Sequence, residues 1–168
     1  MLTRRLAVRP DGPVEHWCLP LQAHERSQLR GRRVCRGGQA VLLQLPRQEP
    51  LRPGEWLLPA PAAQPPVAVA VAVAVAVEVL AAEEPVLEIR ASDGLALLQA
   101  AYHLGNRHVA MEIHADRLLL LDDSVLADLL LRRGLAVRRL RAPFLPEAGA
   151  YEGHPHPQGH GHAHDDGA

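Results

Sequence analysis

Histidine is the residue whose number and placement in this chain most directly suggest chemistry. Of ten histidines, five fall in the last fifteen residues, as His154, His156, His160, His162 and His164. The pairs His154/His156, His160/His162 and His162/His164 are two apart, so an extended segment can aim neighbouring imidazoles at one ion. The Gly and Pro residues between them leave the backbone free to wrap around it. Imidazole suits zinc, copper, nickel and iron, and intrinsic affinity order does not choose among them. Ligation requires the neutral ring, so affinity should fall as pH drops through about 6.5. The competing explanation is an expression tag or an unselected tail. A tag is ordinarily an unbroken His run, whereas these are interrupted, and metal binding is the better reading.

Further histidines lie upstream, at His103, His108 and His114. His108 follows Gly105-Asn106, where a helix gives way to a strand, and such a position is exposed. A lone histidine there is more often a surface residue than a ligand, because one imidazole cannot hold a metal tightly. A two-fold dimer axis passing nearby would supply a second copy of the same side chain. Cys18 and Cys35 are 17 residues apart, a spacing that matches no common metal motif. They read as ordinary buried or half-buried thiols of a reducing compartment.

The elements that must position these groups divide the chain in two. Short apolar runs at Val14–Leu21, Gln39–Leu45, Trp56–Leu58 and Val67–Leu80 are separated by Gly37-Gly38, Pro46, Pro50, Pro53-Gly54, Pro59 and Pro65-Pro66. That is strand-and-turn punctuation, with no helical stretch in the first eighty residues. Strict alternation through Val67–Val77 puts every Val on one strand face and every Ala on the other. Left on an exposed edge, such an uncharged run would invite aggregation. Glu83-Glu84-Pro85 marks a boundary.

Beyond it, Val86–Arg90 reads as a strand. Ser92-Asp93 offer N-caps to a helix carrying Leu95, Leu98 and Tyr102 at helical spacing, and Gly105-Asn106 end it. Val109, Met111 and Ile113 alternate as a strand, followed by Arg117–Leu121. Asp122, Asp123 and Ser124 open a second helix that closes at Arg132-Arg133-Gly134, and Leu135–Arg141 is the last strand. The order β-α-β-β-α-β is the split, ferredoxin-like arrangement. The expected class is therefore α+β: a β-rich domain over 1–82, a ferredoxin-like domain over 83–146, and a flexible His-rich tail over 147–168. Gly, Pro, His and Asp without large apolar residues cannot offset the entropy of ordering that tail.

Composition removes several classes. Apolar residues make up 48% of the 168, but only five are aromatic, so the core must rest on Leu, Val and Ala. All 18 basic residues are Arg, dispersed among acidic ones to a net charge of −1, with none of the basic patch or interleaved aromatics a nucleic-acid binder needs. The N-terminal Met1–Gly12 lacks an apolar h-region, and no uncharged run reaches the ~20 residues of a membrane span. Without lysine the phosphate-cradling Gly-x4-Gly-Lys-[Ser/Thr] loop is impossible, and neither His-Glu-x-x-His nor Gly-x-Ser-x-Gly occurs. The chain reads as a non-enzyme.

The segment Ala100-Ala-Tyr-His-Leu-Gly-Asn-Arg-His-Val109, then Phe144-Leu-Pro-Glu-Ala-Gly-Ala-Tyr151 and the His-rich end, strongly resembles the UreE family of urease accessory nickel metallochaperones. Pro85-Val-Leu-Glu-Ile matches that family's domain start. The likeness is specific over 85–151 and looser over 1–82, where Leu45-Pro-Arg and Leu51-Arg-Pro-Gly-Glu carry it. The resemblance implies a cytoplasmic homodimer with a partner-binding β domain and a ferredoxin-like metal-binding and dimerisation domain. Its partners would be the urease accessory GTPase and the urease apoprotein maturation complex. It also implies that His108, the histidine of Gly-Asn-Arg-His, meets its symmetry mate to hold one Ni2+, with Zn2+ and Cu2+ as competitors. His103 belongs to the motif as a packing or hydrogen-bonding residue. Some members carry two further metal-binding histidines at the positions of Asp122 and Ser124; both are replaced here, which puts that subsidiary site in doubt, although Asp122 and Asp123 retain oxygen donors. Two other classes remain open: a general zinc, copper and nickel buffer unrelated to urease, and a small-molecule-binding module with an incidental tail.

Overall fold

The computed structural model describes residues 1–12, 14–60 and 74–148. The fold is α+β. In the N-terminal half, β1 (Arg4–Leu6), β2 (Val14–Leu21), a one-turn helix α1 (Ala23–Arg26), β3 (Arg30–Val34), β4 (Ala40–Gln44), β5 (Trp56–Leu58) and β6 (Ala74–Ala81) follow one another. A four-stranded sheet has the order β1-β5-β6-β2, and β3 and β4 form a separate hairpin closed through Gly37-Gly38. The strands expected at Val14–Leu21 and Trp56–Leu58 form with those bounds.

Two strands and α1 escape the sequence pattern. The Arg30–Val34 strand is mostly arginine with a glycine, poor strand formers that owe their conformation to pairing with β4. Helix α1 is too short for any periodicity. It is started by a reciprocal cap in which the Gln22 N–H donates to the Glu25 carboxylate at 2.9 Å.

Of the Val-Ala run, the portion from Ala74 onward is described, and it is an interior strand. Strand β6 runs parallel to β2 and antiparallel to β5, so its ladder edges are paired there. Val77 and Val79 enter a core with Leu19, Leu21, Leu43, Leu45, Leu51 and Leu57. Ala76, on the opposite face, packs with Trp56 and Leu58. The alternation therefore sorts residues between two faces as a strand must.

The second half comprises β7 (Glu83–Arg90), α2 (Gly94–Gly105), β8 (Met111–Ile113), β9 (Leu118–Leu121), α3 (Ser124–Arg132) and β10 (Ala136–Pro143). Its sheet has the order β10-β7-β9-β8 with every neighbour antiparallel. Leu87, Ile89, Leu118 and Leu120 meet Leu97, Ala100, Leu104, Ala127 and Leu130 from the two helices in one core. Asp93 and Asp123 cap α2 and α3, accepting from the backbone N–H of Ala96 and Leu126 at 2.9 Å each.

Helix α2 carries apolar residues on two faces and buries one of them. Leu97, Ala100 and Leu104 point inward, while Leu95, Leu98 and Tyr102 are 66%, 69% and 68% exposed. The spacing was helical, but the stripe it marked lies on the outside.

Both helices end in the same hydrogen-bonded motif. After α3, Gly134 N–H bonds to Leu131 O and Leu135 N–H to Leu130 O, with Gly134 at φ +79°. Replacing Gly134 with Ala should cost about 1 kcal/mol in urea unfolding, because an L side chain disfavours that left-handed conformation. Among the described residues no helix is long and apolar enough to cross a membrane.

Candidate metal centre

After α2, His108 N–H bonds to Gly105 O at 2.9 Å and Val109 N–H to Leu104 O at 3.2 Å, the same pairing that closes α3. The left-handed residue is here a histidine, with His108 at φ +56°. Neither Gly105 nor Asn106, expected to take that conformation, does so; Asn106 is right-handed at φ −64°. Among the described residues His108 is the non-glycine with positive φ. The position ordinarily given to glycine therefore carries an exposed imidazole at the end of the helix. Such a residue persists against its backbone preference, and strain of this kind clusters at binding sites.

The remaining histidines of this half are occupied or differently placed. His103, half-buried on α2, stacks edge-on against Tyr102 with ring centroids 5.6 Å apart. His114 Nε2 lies 2.8 Å from Glu112 Oε1, while the other Glu112 oxygen accepts from Leu145 N–H at 2.7 Å. That pair ties the edge strand to the segment following β10. Asp122 accepts from Arg139 Nε at 3.1 Å, and Asp123 caps α3. One oxygen of each carboxylate left at the subsidiary position is thus engaged, and among the described residues neither belongs to a three-ligand cluster.

His154, His156, His160, His162 and His164 lie outside the described residues. Among the described ones, His108 has no second His, Cys or carboxylate close enough to make a three-ligand cluster with it. A three-ligand site at His108 would therefore need donors from another copy of the chain or from residues outside the described set. The likeness of Gly-Asn-Arg-His to the family motif singles out the imidazole but gives no hint of its left-handed backbone, which follows from the six-residue turn as a whole.

Comparison with known proteins bears on this arrangement. Residues 84–166 match the model of the UreE urease accessory protein C-terminal domain. The urease accessory protein UreE of Parasynechococcus marenigrum is 51% identical over 156 residues, covering 93% of this chain and 95% of that protein. The chain belongs to the UreE family. The UreE of Synechococcus sp. strain WH7805 is 52% identical over 149 residues, covering 89% of this chain and 79% of its own length. That of Cupriavidus necator is 46% identical over 147 residues, covering 88% and 68%. Alignments of this length carry the UreE likeness through most of the N-terminal half, beyond the motifs at 85–151. The matched C-terminal domain contains α2, His108 and the terminal histidines together.

Proposed function

We propose that this UreE chain is a nickel metallochaperone that captures Ni2+ and delivers it to the urease maturation complex for assembly of the urease active site. The observation that carries the reading is His108. An exposed imidazole is held in a conformation costly for any L residue, directly after a helix with an unpartnered apolar face. A second copy of the chain covers Leu95, Leu98 and Tyr102, and the two-fold axis brings two His108 side chains to one ion. Imidazole ligation without thiolate stays labile enough for hand-off.

In this reading residues 83–146 form the ferredoxin-like metal-binding and dimerisation domain. The β-α-β-β-α-β order, and a sheet in which the first and third strands lie centrally, support it. Residues 1–82 serve as the partner-binding domain and 147–168 as a His-rich tail that gathers ions. The partners are the urease accessory GTPase and the apoprotein complex, the compartment is the cytoplasm, and the role is carriage rather than catalysis. Zn2+ and Cu2+ compete for the same imidazoles. Family membership favours this reading over general metal buffering.

Nickel titration of the full chain against a variant ending at residue 152 tests the division of labour. The truncated dimer should bind fewer Ni2+ yet retain about one, as one symmetric site per dimer requires. Loss of all binding on truncation would overturn the His108 site.

A further inference from the structure

We infer that the N-terminal sheet carries a second metal site, built from His16, Cys18 and Glu78, for a borderline divalent cation of the zinc and nickel class. His16 and Cys18 are two apart on β2 and so share a face. The parallel register sets Cys18 opposite Glu78 on β6 and His16 opposite Ala76. Glu78 stands where the Val-Ala alternation would place another alanine, on the face away from the main core. The sheet thus delivers a thiol, an imidazole and a carboxylate to one spot from residues up to 62 positions apart. No spacing rule applied to the two cysteines could reveal it.

His16 Nε2 lies 2.8 Å from Glu78 Oε2 and 3.7 Å from Cys18 Sγ, and the three ligand atoms all fall within 4.8 Å of one another. Around a tetrahedral ion with bonds of about 2.0 Å to N or O and about 2.3 Å to S, ligand atoms sit roughly 3.3–3.6 Å apart. Small side-chain rotations convert one set into the other. The site is partly open, with the His16 and Glu78 side chains 38% and 26% exposed, so a fourth position is left for water or an incoming ligand.

Trp56 packs on the His16 ring with centroids 4.8 Å apart, and the Arg9 guanidinium carbon lies 5.8 Å from the Trp56 ring centroid. That wall limits the imidazole's freedom and helps keep Nε2 beside its two partners. On binding, the Cys18 thiol gives its proton to solvent and ligates as thiolate. A surface His-Glu pair alone would have no need of the sulfur. The softer thiolate adds affinity for zinc- and nickel-type ions over magnesium or calcium.

Sulfur makes the test selective, since neither His108 nor the five tail histidines supply any. Titrating the full chain with Co2+, under a non-thiol reductant, should produce a thiolate-to-metal charge-transfer band in the near ultraviolet. Cys18→Ser should abolish the band and Cys35→Ser should retain it. Glu78→Gln and His16→Gln, both conservative at half-exposed positions, should each weaken the Co2+ affinity read from that band by about tenfold or more. Absence of the band, its survival in Cys18→Ser, or indifference to both His16→Gln and Glu78→Gln would overturn the site.

Discussion

Replacing His108 with Gly is expected to abolish the tightly held Ni2+ while leaving the fold about as stable as the native chain. Gly134 and His108 occupy equivalent positions in matching hydrogen-bonded turns, at φ +79° and +56°. A side chain in that conformation costs roughly 1 kcal/mol, which glycine does not incur. Glycine also loosens the unfolded chain by a comparable amount, so the net change should stay within about 1 kcal/mol of zero. Metal binding behaves differently. In the proposed dimer one substitution removes the imidazole from both subunits, so affinity at the shared site should fall by on the order of 100-fold or more. Calorimetric titration of a chain ending at residue 152 reads the site without the tail, and urea unfolding reads the fold. An unchanged titration would sink the interface model. Leu98→Glu is the reciprocal case: it should split the dimer in sedimentation, and the ion should be lost with His108 intact.

How much of this was legible beforehand depended on whether the deciding interaction was local. The caps Asp93 and Asp123 and the closing Gly134 were readable because a helix end is settled within a few residues. Strands Val14–Leu21 and Trp56–Leu58 were readable because runs of large apolar residues between breakers have few other fates. Strand β3 was not, since its arginines and glycine carry no strand signal without β4 alongside. The direction of the Leu95, Leu98 and Tyr102 stripe on α2 was not legible, because period alone cannot tell a face turned to a core from one turned to solvent or to another molecule. The candidate sites divide the same way. His108 stood out through its motif, while its strain did not. The His16, Cys18 and Glu78 grouping depended on a parallel register set by the whole sheet.

Arg26→Ala should be the most destabilising single substitution proposed, at about 3 kcal/mol in urea unfolding. Arg26 is only 5% exposed at the end of α1. Its guanidinium donates to Leu21 O at 3.1 Å and to Phe144 O at 2.6 Å, joining the N-terminal sheet to the segment after β10. Burial pulls its pKa below the ordinary arginine value, and the carboxylates of Glu84 and then Glu112 oppose that shift. The group stays charged, because a guanidinium is not deprotonated in proteins. Removing it strips the Phe144 carbonyl of its donor, leaves Leu21 O with only the Ala82 N–H at 2.9 Å, and takes a positive charge from the neighbourhood of Glu84, which is 4% exposed. Hydrogen bonds to a charged group contribute about 1.5–3 kcal/mol each. A cleft of about 670 Å³ beside Arg26 and Phe144 lets water replace some of the lost bonds, which argues for the lower end. Arg26→Lys should recover only about half the loss, since one ammonium cannot reproduce a fork that spans two carbonyls. The damage should also reach the site. Phe144 is fully buried against Val86 and Leu119, and the residues after it bond to Met111 and Glu112, on the strand that follows the His108 turn. Faster amide exchange at Leu145 and Glu147 in Arg26→Ala would show that this anchor holds the C-terminal segment in place. Exchange unchanged at both, with stability within about 1 kcal/mol of native, would mean the guanidinium contributes no such clamp.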